Sequence, residues 1–219
     1  MTPAPGAEIH EVDPARPDEA RIAVRAATRA LRAGGLVIVP TETVYGLAAR
    51  PDLPEATARI FAAKCRSFGR NLPILAASAE RAWEVARPNP PARRLAEAIW
   101  PGALTLVLPR TDRSRSWELG DDRSTVAVRV PHHVLTTALL AEAGPLAVTS
   151  ANRSGEPPLD DPRALVEAFG STVAVYLVLA RKAAPPGGTP STVVDLTGAE
   201  PEVVRTGAVG PDEISRALG

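Results

Sequence analysis

The chain has 219 residues, 45% of them hydrophobic, enough for one substantial domain with a real core. No stretch reaches the roughly 18 consecutive apolar residues of a transmembrane helix, and 25 acidic against 25 basic residues argue against a globally basic nucleic-acid binder. A single cysteine, Cys65, rules out an internal disulfide and a thiolate-rich metal site, and three histidines, two of them the neighbours His132 and His133, argue against a three-histidine zinc site.

In chain order, the opening MTPAPGAEIHEVDPARPDEA has no basic region followed by an apolar one, so no signal peptide is expected and a cytoplasmic location is the default. Its first dozen residues read as a loose or edge-pairing arm. Asp18 to Ala33 is strongly helical and Gly34-Gly35 stop it. Leu36 to Val39 reads as a strand ending at Pro40. Thr41, Glu42, Thr43 and Tyr45 then form a polar loop, and Gly46 supplies a tight turn before a helix from Pro54 to Lys64. Apolar and helical runs alternate next: Leu72 to Ala76, Ala79 to Ala86, Pro91 to Trp100 and Leu104 to Leu108. Arg110 to Arg123 reads as a polar surface loop. A strand at Thr125 to Val130, a helix at His132 to Ala143 and a buried strand at Leu146 to Thr149 lead to a Gly- and Pro-rich segment ending near Asp160. The chain finishes with a helix at Pro162 to Phe169, strands at Val173 to Leu179, Ser191 to Leu196 and Glu202 to Arg205, and a helix at Pro211 to Leu218. Interleaved strands and helices predict an α/β fold, and the late run of strands predicts a mixed sheet.

Four polar clusters fall at element ends, where open α/β sheets place ligands. The first is the Thr41 to Tyr45 loop, which also fits a polar turn capping a helix. The second, KCRSFGR, brings Lys64, Arg66 and Arg70 together. Three neighbouring cations repel one another, and an anion would relieve that cost, although a helix C-terminus alone favours one or two cations. Lys64 stands out because Lys64 and Lys182 are the only lysines among 25 basic residues, and an ammonium is not interchangeable with arginine's planar fork. The third, TSANRSGEPP from Thr149 to Pro158, suits a nest for phosphate or carboxylate, or an ordinary Asn/Ser/Gly turn. The fourth, GGTPSTVVDLTG, carries Ser191, Thr192 and Asp195, with Arg205 on the next strand. Arg129 and Arg205, at the ends of apolar strands, need an acidic or anionic partner, met equally by a salt bridge or a ligand. No G-x-S-x-G, Walker A loop or G-x-G-x-x-G occurs. Together the clusters describe a cavity rich in cations and hydroxyls and poor in acid, suited to a triphosphate beside a small carboxylated molecule.

The ordered set PTETVYGL, KCR, WPGALTLVL, VAVRVP, TSANRSG and PSTVVD, spanning about Gly34 to Arg205, resembles the YrdC-like family of threonylcarbamoyl-AMP synthases. The resemblance implies a twisted mixed β-sheet flanked by helices with a large, positively lined concave cavity, and a compact, single-domain member. It implies conversion of L-threonine, bicarbonate and ATP to threonylcarbamoyl-AMP and pyrophosphate, with magnesium bound mainly through the ATP phosphates and no metal site of the protein. The product would pass to a tRNA threonylcarbamoyl transferase complex. Carried over by position, Lys64 and Arg66 become the catalytic, phosphate-binding pair. Thr41, Tyr45, Arg129, Thr149 and Ser191 would bind L-threonine, and Thr125, Ser150, Asn152 and Arg205 would join the ATP site. Two departures lie near the threonine pocket: Ser67 follows Arg66 where many relatives have proline, and no histidine occurs between His10 and His132. The alternatives are a double-stranded RNA-binding or ribosome-maturation factor using the same basic cavity, of which weak RNA binding would be the trace, and a carbamoyl-phosphate-using relative. Composition makes Arg110 to Arg123 and Gly187-Gly188 the candidates for a closing segment.

Overall fold

A computed structural model describes residues 6–181, 183 and 186–219. The first five residues of the expected N-terminal arm and Lys182 lie outside the described residues. The elements in chain order are β1 (Glu8–Val12), α1 (Pro17–Arg32), β2 (Leu36–Val39), β3 (Gly46–Ala49), α2 (Pro54–Lys64), β4 (Ile74–Leu75), α3 (Ala79–Trp83) and α4 (Pro90–Ile99). They continue with β5 (Leu104–Pro109), α5 (Asp112–Arg115), β6 (Thr125–Arg129), α6 (Val134–Ala143), β7 (Leu146–Ser150), α7 (Pro162–Phe169), β8 (Val173–Leu179), β9 (Thr192–Asp195), β10 (Glu202–Arg205) and α8 (Pro211–Leu218).

The strands form one ten-stranded mixed sheet in the order β1-β8-β2-β3-β7-β4-β6-β5-β9-β10. Pairing is parallel for β1/β8, β2/β8, β4/β6 and β5/β9, and antiparallel elsewhere. The expected edge-pairing arm is β1, beside β8 at one margin. All four residues of β2 are buried, which is why the strand reads as a continuous apolar run rather than an alternating one. Leu36 and Ile38 join the larger core with Ile60 and Phe61 of α2, whereas Val37 and Val39 pack with Val24, Ala27 and Leu31 of α1 and Leu139 and Leu140 of α6. Helices therefore cover both faces. α1 starts with Pro17 at its first turn, keeps Asp18 and Glu19 near its positive end and Arg29 and Arg32 near its negative end, all favourable for the helix dipole.

Two expectations change. The polar loop after β2 does not run on towards a helix: it turns into β3, antiparallel to both β2 and β7. Gly46 is needed there for contact, not for a turn, because a Cβ would lie 2.5 Å from Val148 Cγ1 on β7. Gly46→Ala is expected to cost about 1–3 kcal/mol by overpacking, read as a lower thermal midpoint. An unchanged midpoint would show that β3 and β7 can separate freely. The Arg110 to Arg123 stretch is likewise no simple surface loop. It contains α5 and buries Arg110, Ser114, Trp117 and Leu119.

Candidate functional site

A cavity of about 380 Å³ opens where β2, β5, β6, β7 and β9 bring their ends or inward faces together with the C-terminus of α2. Among the described residues five cations line it, Lys64, Arg66, Arg70, Arg129 and Arg205, and no aspartate or glutamate does. Hydroxyl and amide groups fill the intervals: Thr41, Thr43, Thr105, Thr149, Ser150, Asn152 and Ser191. Apolar floor comes from Leu75, Ala127, Val148 and Val193. The surroundings are built to hold a polyanion with an apolar body.

Lys64 ends α2, and Cys65 after it adopts the left-handed conformation (φ 50°) that turns the chain back. The Lys64 side chain is 2% exposed. Its ammonium donates to the carbonyls of Ser150 and Asn152, and more weakly to Asn152 Oδ1 at 3.5 Å. Its own carbonyl accepts the Ser154 N–H at 3.0 Å, so the loop after β7 wraps the end of α2 at two points. Asn152 Nδ2 closes that loop by donating to the Arg153 and Glu156 carbonyls, each at 2.7 Å. Burial, helped by the neighbouring charge of Arg66, pushes the Lys64 ammonium down to about 8. A bound phosphate would restore it.

Arg66 reaches across to β7, with Nη1 3.4 Å from the Thr149 hydroxyl, and burial next to Arg70 lowers it from its ordinary value. Arg205 donates through Nε and Nη2 to the Ser191 carbonyl at 3.0 and 2.7 Å, and Nη2 also donates to the Ser191 hydroxyl at 3.0 Å. A register shift between Val203 and Arg205 in the β9/β10 pairing accompanies that placement. The Ser191 hydroxyl is paired with Thr105 Oγ1 at 2.8 Å. Thr105 is a lining residue that the sequence reading passed over, hidden inside the apolar run of β5.

Arg129, 6% exposed, donates through Nε to the Gly102 carbonyl and through Nη1 to the Thr43 hydroxyl, both at 3.0 Å. Its Nη2 lies 2.6 Å from Glu42 Oε1. That contact is a charge pair without hydrogen-bond alignment, so both Glu42 oxygens and Nη2 lack a hydrogen-bond partner. Thr41, Thr43 and Val44 line the cavity while Glu42 is not among the described lining residues, because the chain bends at residues 42–44 as it leaves β2. Burial lowers Arg129 from its ordinary value and Glu42 opposes the shift. The Thr41 hydroxyl shapes the loop by donating to the Val44 carbonyl at 2.6 Å and accepting the Thr43 and Val44 N–H groups.

The cavity thus gathers Thr41, Lys64, Arg66, Arg129, Thr149, Ser150, Asn152, Ser191 and Arg205 of the expected set. Two expected residues are not there. Tyr45 is 2% exposed within the core, its hydroxyl accepting the Leu179 N–H at 3.1 Å. The bend at residues 42–44 sets Thr43, Val44 and Gly46 on the cavity and turns Tyr45 into the core. Thr125 shares a strand face with Ala127 and Arg129 yet sits at the outer start of β6, where its hydroxyl donates to the Asp122 carboxylate. Arg70 and Asn71 line the cavity in addition. The Gly187-Gly188 turn is tied to the first loop by N–H bonds to the Glu42 and Thr43 carbonyls at 3.0 and 2.7 Å.

Among the described residues, no group of three histidine, cysteine or acidic side chains could hold a metal ion, and no helix is long and apolar enough to cross a membrane.

Comparison with known proteins points one way. The Sua5/YciO/YrdC family model, described as telomere recombination, matches residues 29–207. A Mycobacterium tuberculosis protein assigned provisionally as a threonylcarbamoyl-AMP synthase is 41% identical over 210 residues, covering 94% of both chains. The threonylcarbamoyl-AMP synthase of Pyrococcus abyssi is 37% identical over 198 residues, which are 90% of this chain and 57% of that longer one. In three dimensions the chain is similar to P. abyssi Sua5 complexed with L-threonine, with a TM-score of 0.78 and 33% identity over 97% of this chain and 60% of the other. Its likeness to Escherichia coli YciO, with a TM-score of 0.79 at 24% identity over 95% of this chain and 97% of that one, shows the fold.

Proposed function

The chain belongs to the Sua5/YciO/YrdC family, and we propose that its cavity makes threonylcarbamoyl-AMP and pyrophosphate from L-threonine, bicarbonate and ATP. The observation that carries this reading is the cavity's make-up: among the described residues, five cations, no lining carboxylate, and hydroxyls and amides between them.

In this reading Lys64 and Arg66 hold the phosphates, the lysine as a point charge and the arginine as a fork, with Arg205 beside the nucleotide. Arg129 takes the threonine carboxylate, while Thr43, Thr149 and Ser191 orient the amino acid. Bicarbonate gives up hydroxide to form CO2; the threonine amine attacks its carbon, an N–C bond forms as one C=O π pair moves onto oxygen, and the proton lost from nitrogen joins the hydroxide as water, leaving the carbamate. That species is short-lived in water, which favours a recessed site. A carbamate oxygen then attacks the α-phosphorus: an O–P bond forms, the bond to the β-phosphate oxygen breaks, and pyrophosphate leaves with the electron pair. The residues act by positioning and neutralising charge, and no protein nucleophile is needed. Magnesium would enter with ATP as part of the substrate, held mainly by the phosphates, with the hydroxyl and amide oxygens of the lining beside it. A tRNA threonylcarbamoyl transferase complex in the cytoplasm is the consumer of the product. Among the described residues the lining has no aromatic ring on which a splayed base could stack, and the balance of 25 acidic and 25 basic residues disfavours the double-stranded RNA-binding alternative.

The test is incubation with radiolabelled bicarbonate, L-threonine and MgATP. Label should appear in a nucleotide product that also contains threonine; label confined to bicarbonate would overturn the reading. Lys64 adds a second expectation. Phosphate contact requires the ammonium, so ATP binding near pH 8 should take up a proton, and affinity should fall as pH rises above 8. Calorimetry in buffers of different ionisation enthalpy measures that uptake, and Lys64→Met should abolish it. Equal enthalpies in all buffers for the unmodified protein would contradict the assignment.

A further inference from the structure

Among the described residues Arg110 is the largest of the fully buried side chains, 1% exposed, and no carboxylate among them pairs with it. All four of its hydrogen bonds go to backbone carbonyls: Nε to Thr125 at 2.7 Å, Nη1 to Ser114 at 3.1 Å and Trp117 at 2.9 Å, and Nη2 to Asp122 at 2.8 Å. A buried guanidinium is costly, and an apolar side chain could fill the space more cheaply. What Arg110 provides is a single centre around which residues 114–125 close.

That closed segment lies flush against the stretch leading from Arg66 to β4. Asn71 Nδ2 donates to the Asp122 carbonyl at 2.6 Å, and the Asp122 N–H returns a bond to Asn71 Oδ1 at 3.2 Å. The Leu72 N–H donates to the Leu119 carbonyl at 2.6 Å and the Asp121 N–H to the Phe68 carbonyl at 3.0 Å. Gly120 (φ +143°) permits this approach: a Cβ there would lie 2.3 Å from Asn71 Oδ1 and 2.8 Å from the Phe68 carbonyl. The stretch held in this way aims Arg66. Its Nε donates to the Arg70 carbonyl and its Nη2 to the Asn71 carbonyl, both at 3.1 Å, which leaves Nη1 with only the 3.4 Å contact to Thr149 at the cavity wall. One fork of the guanidinium is spent on the backbone and the other is presented to the cavity.

We propose that Arg110 is a positioning residue for Arg66, acting through the Asp122–Asn71 bond pair to present Nη1 to a phosphate oxygen. The proposal rests on the phosphate-binding reading of the cavity and adds to it a device, two layers away, that sets the geometry of that contact.

The test is binding of inorganic pyrophosphate and, separately, of L-threonine, with thermal midpoints recorded alongside. Arg110→Met removes the four donors. Gly120→Ala jams the junction while leaving Arg110 intact, and Arg110→Lys retains the charge but not the fork. Arg110→Met and Gly120→Ala should each weaken pyrophosphate binding by about 10- to 100-fold, the usual size for an outer-layer orienting contact, with L-threonine affinity unchanged within about twofold. Arg110→Lys should fall between them and the parent. Should Arg110→Met not fold, Gly120→Ala and Arg110→Lys carry the same comparison. Variants that lower the thermal midpoint yet bind pyrophosphate as the parent does would make Arg110 a structural staple and overturn the proposal. Parent protein that binds no pyrophosphate would instead overturn the phosphate reading itself, so the two failures are distinct.

Discussion

Lys64→Ala is expected to reduce pyrophosphate release from ATP by about 100- to 1000-fold, the range seen when one preorganised charge-stabilising donor is removed from an active site. The ammonium sits between the Ser150 and Asn152 carbonyls at the cavity wall, so its loss removes the tie between α2 and the loop after β7 and, in the proposed reaction, a phosphate partner. The fold should survive. Two carbonyls lose a donor, costing about 1–3 kcal/mol, but an ammonium that burial already disfavours is removed with it. Circular dichroism and a thermal midpoint within several degrees of the parent would confirm this. Lys64→Arg should not rescue activity, because the space between the two carbonyls suits a compact ammonium rather than a planar fork. Near-normal turnover of Lys64→Ala would sink the phosphate role.

The second large effect concerns Arg129. Arg129→Ala should abolish L-threonine-dependent pyrophosphate release, but it also strands the Glu42 carboxylate, which has no hydrogen-bond partner of its own among the described residues. Breaking a buried pair from one side costs about 3–5 kcal/mol. Stability and activity would then fall together and the result would be ambiguous. Arg129→Met combined with Glu42→Gln separates them: removing both charges should recover most of the lost stability while threonine-dependent activity stays absent. Thermal unfolding and pyrophosphate release on the same preparations give both quantities. Recovery of activity in the double variant would show that Arg129 is a structural partner of Glu42 and not a substrate contact.

Much of the architecture was legible because the punctuation is local. Pro54 opens α2, Pro162 opens α7 and Pro211 opens α8, each at a first helical turn where the missing N–H costs nothing. The apolar run Val173 to Leu179 is β8 as read. The strand β3 was not legible, since Gly46-Leu47-Ala48-Ala49 has little strand propensity of its own and is held by β2 on one side and β7 on the other. Arg110 was misread because its burial depends on four carbonyls up to fifteen residues later, which no local pattern announces. The cationic cavity was foreseeable as clustered charge, Lys64 with Arg66 and Arg70. Whether a neighbouring hydroxyl faces the cavity depends on the phase of the chain, and Tyr45 shows the limit. Thr105 shows the converse: one hydroxyl inside an apolar strand gives no sequence signal until Ser191, eighty-six residues away, is brought beside it.

A cavity that joins threonine, bicarbonate and ATP must release pyrophosphate, and that release is the most direct measurement. Purified protein with MgATP should release pyrophosphate only when L-threonine and bicarbonate are both present, and omission of either should return the rate to background. Release from MgATP alone, or no release under any combination alongside salt-sensitive RNA binding, would contradict it.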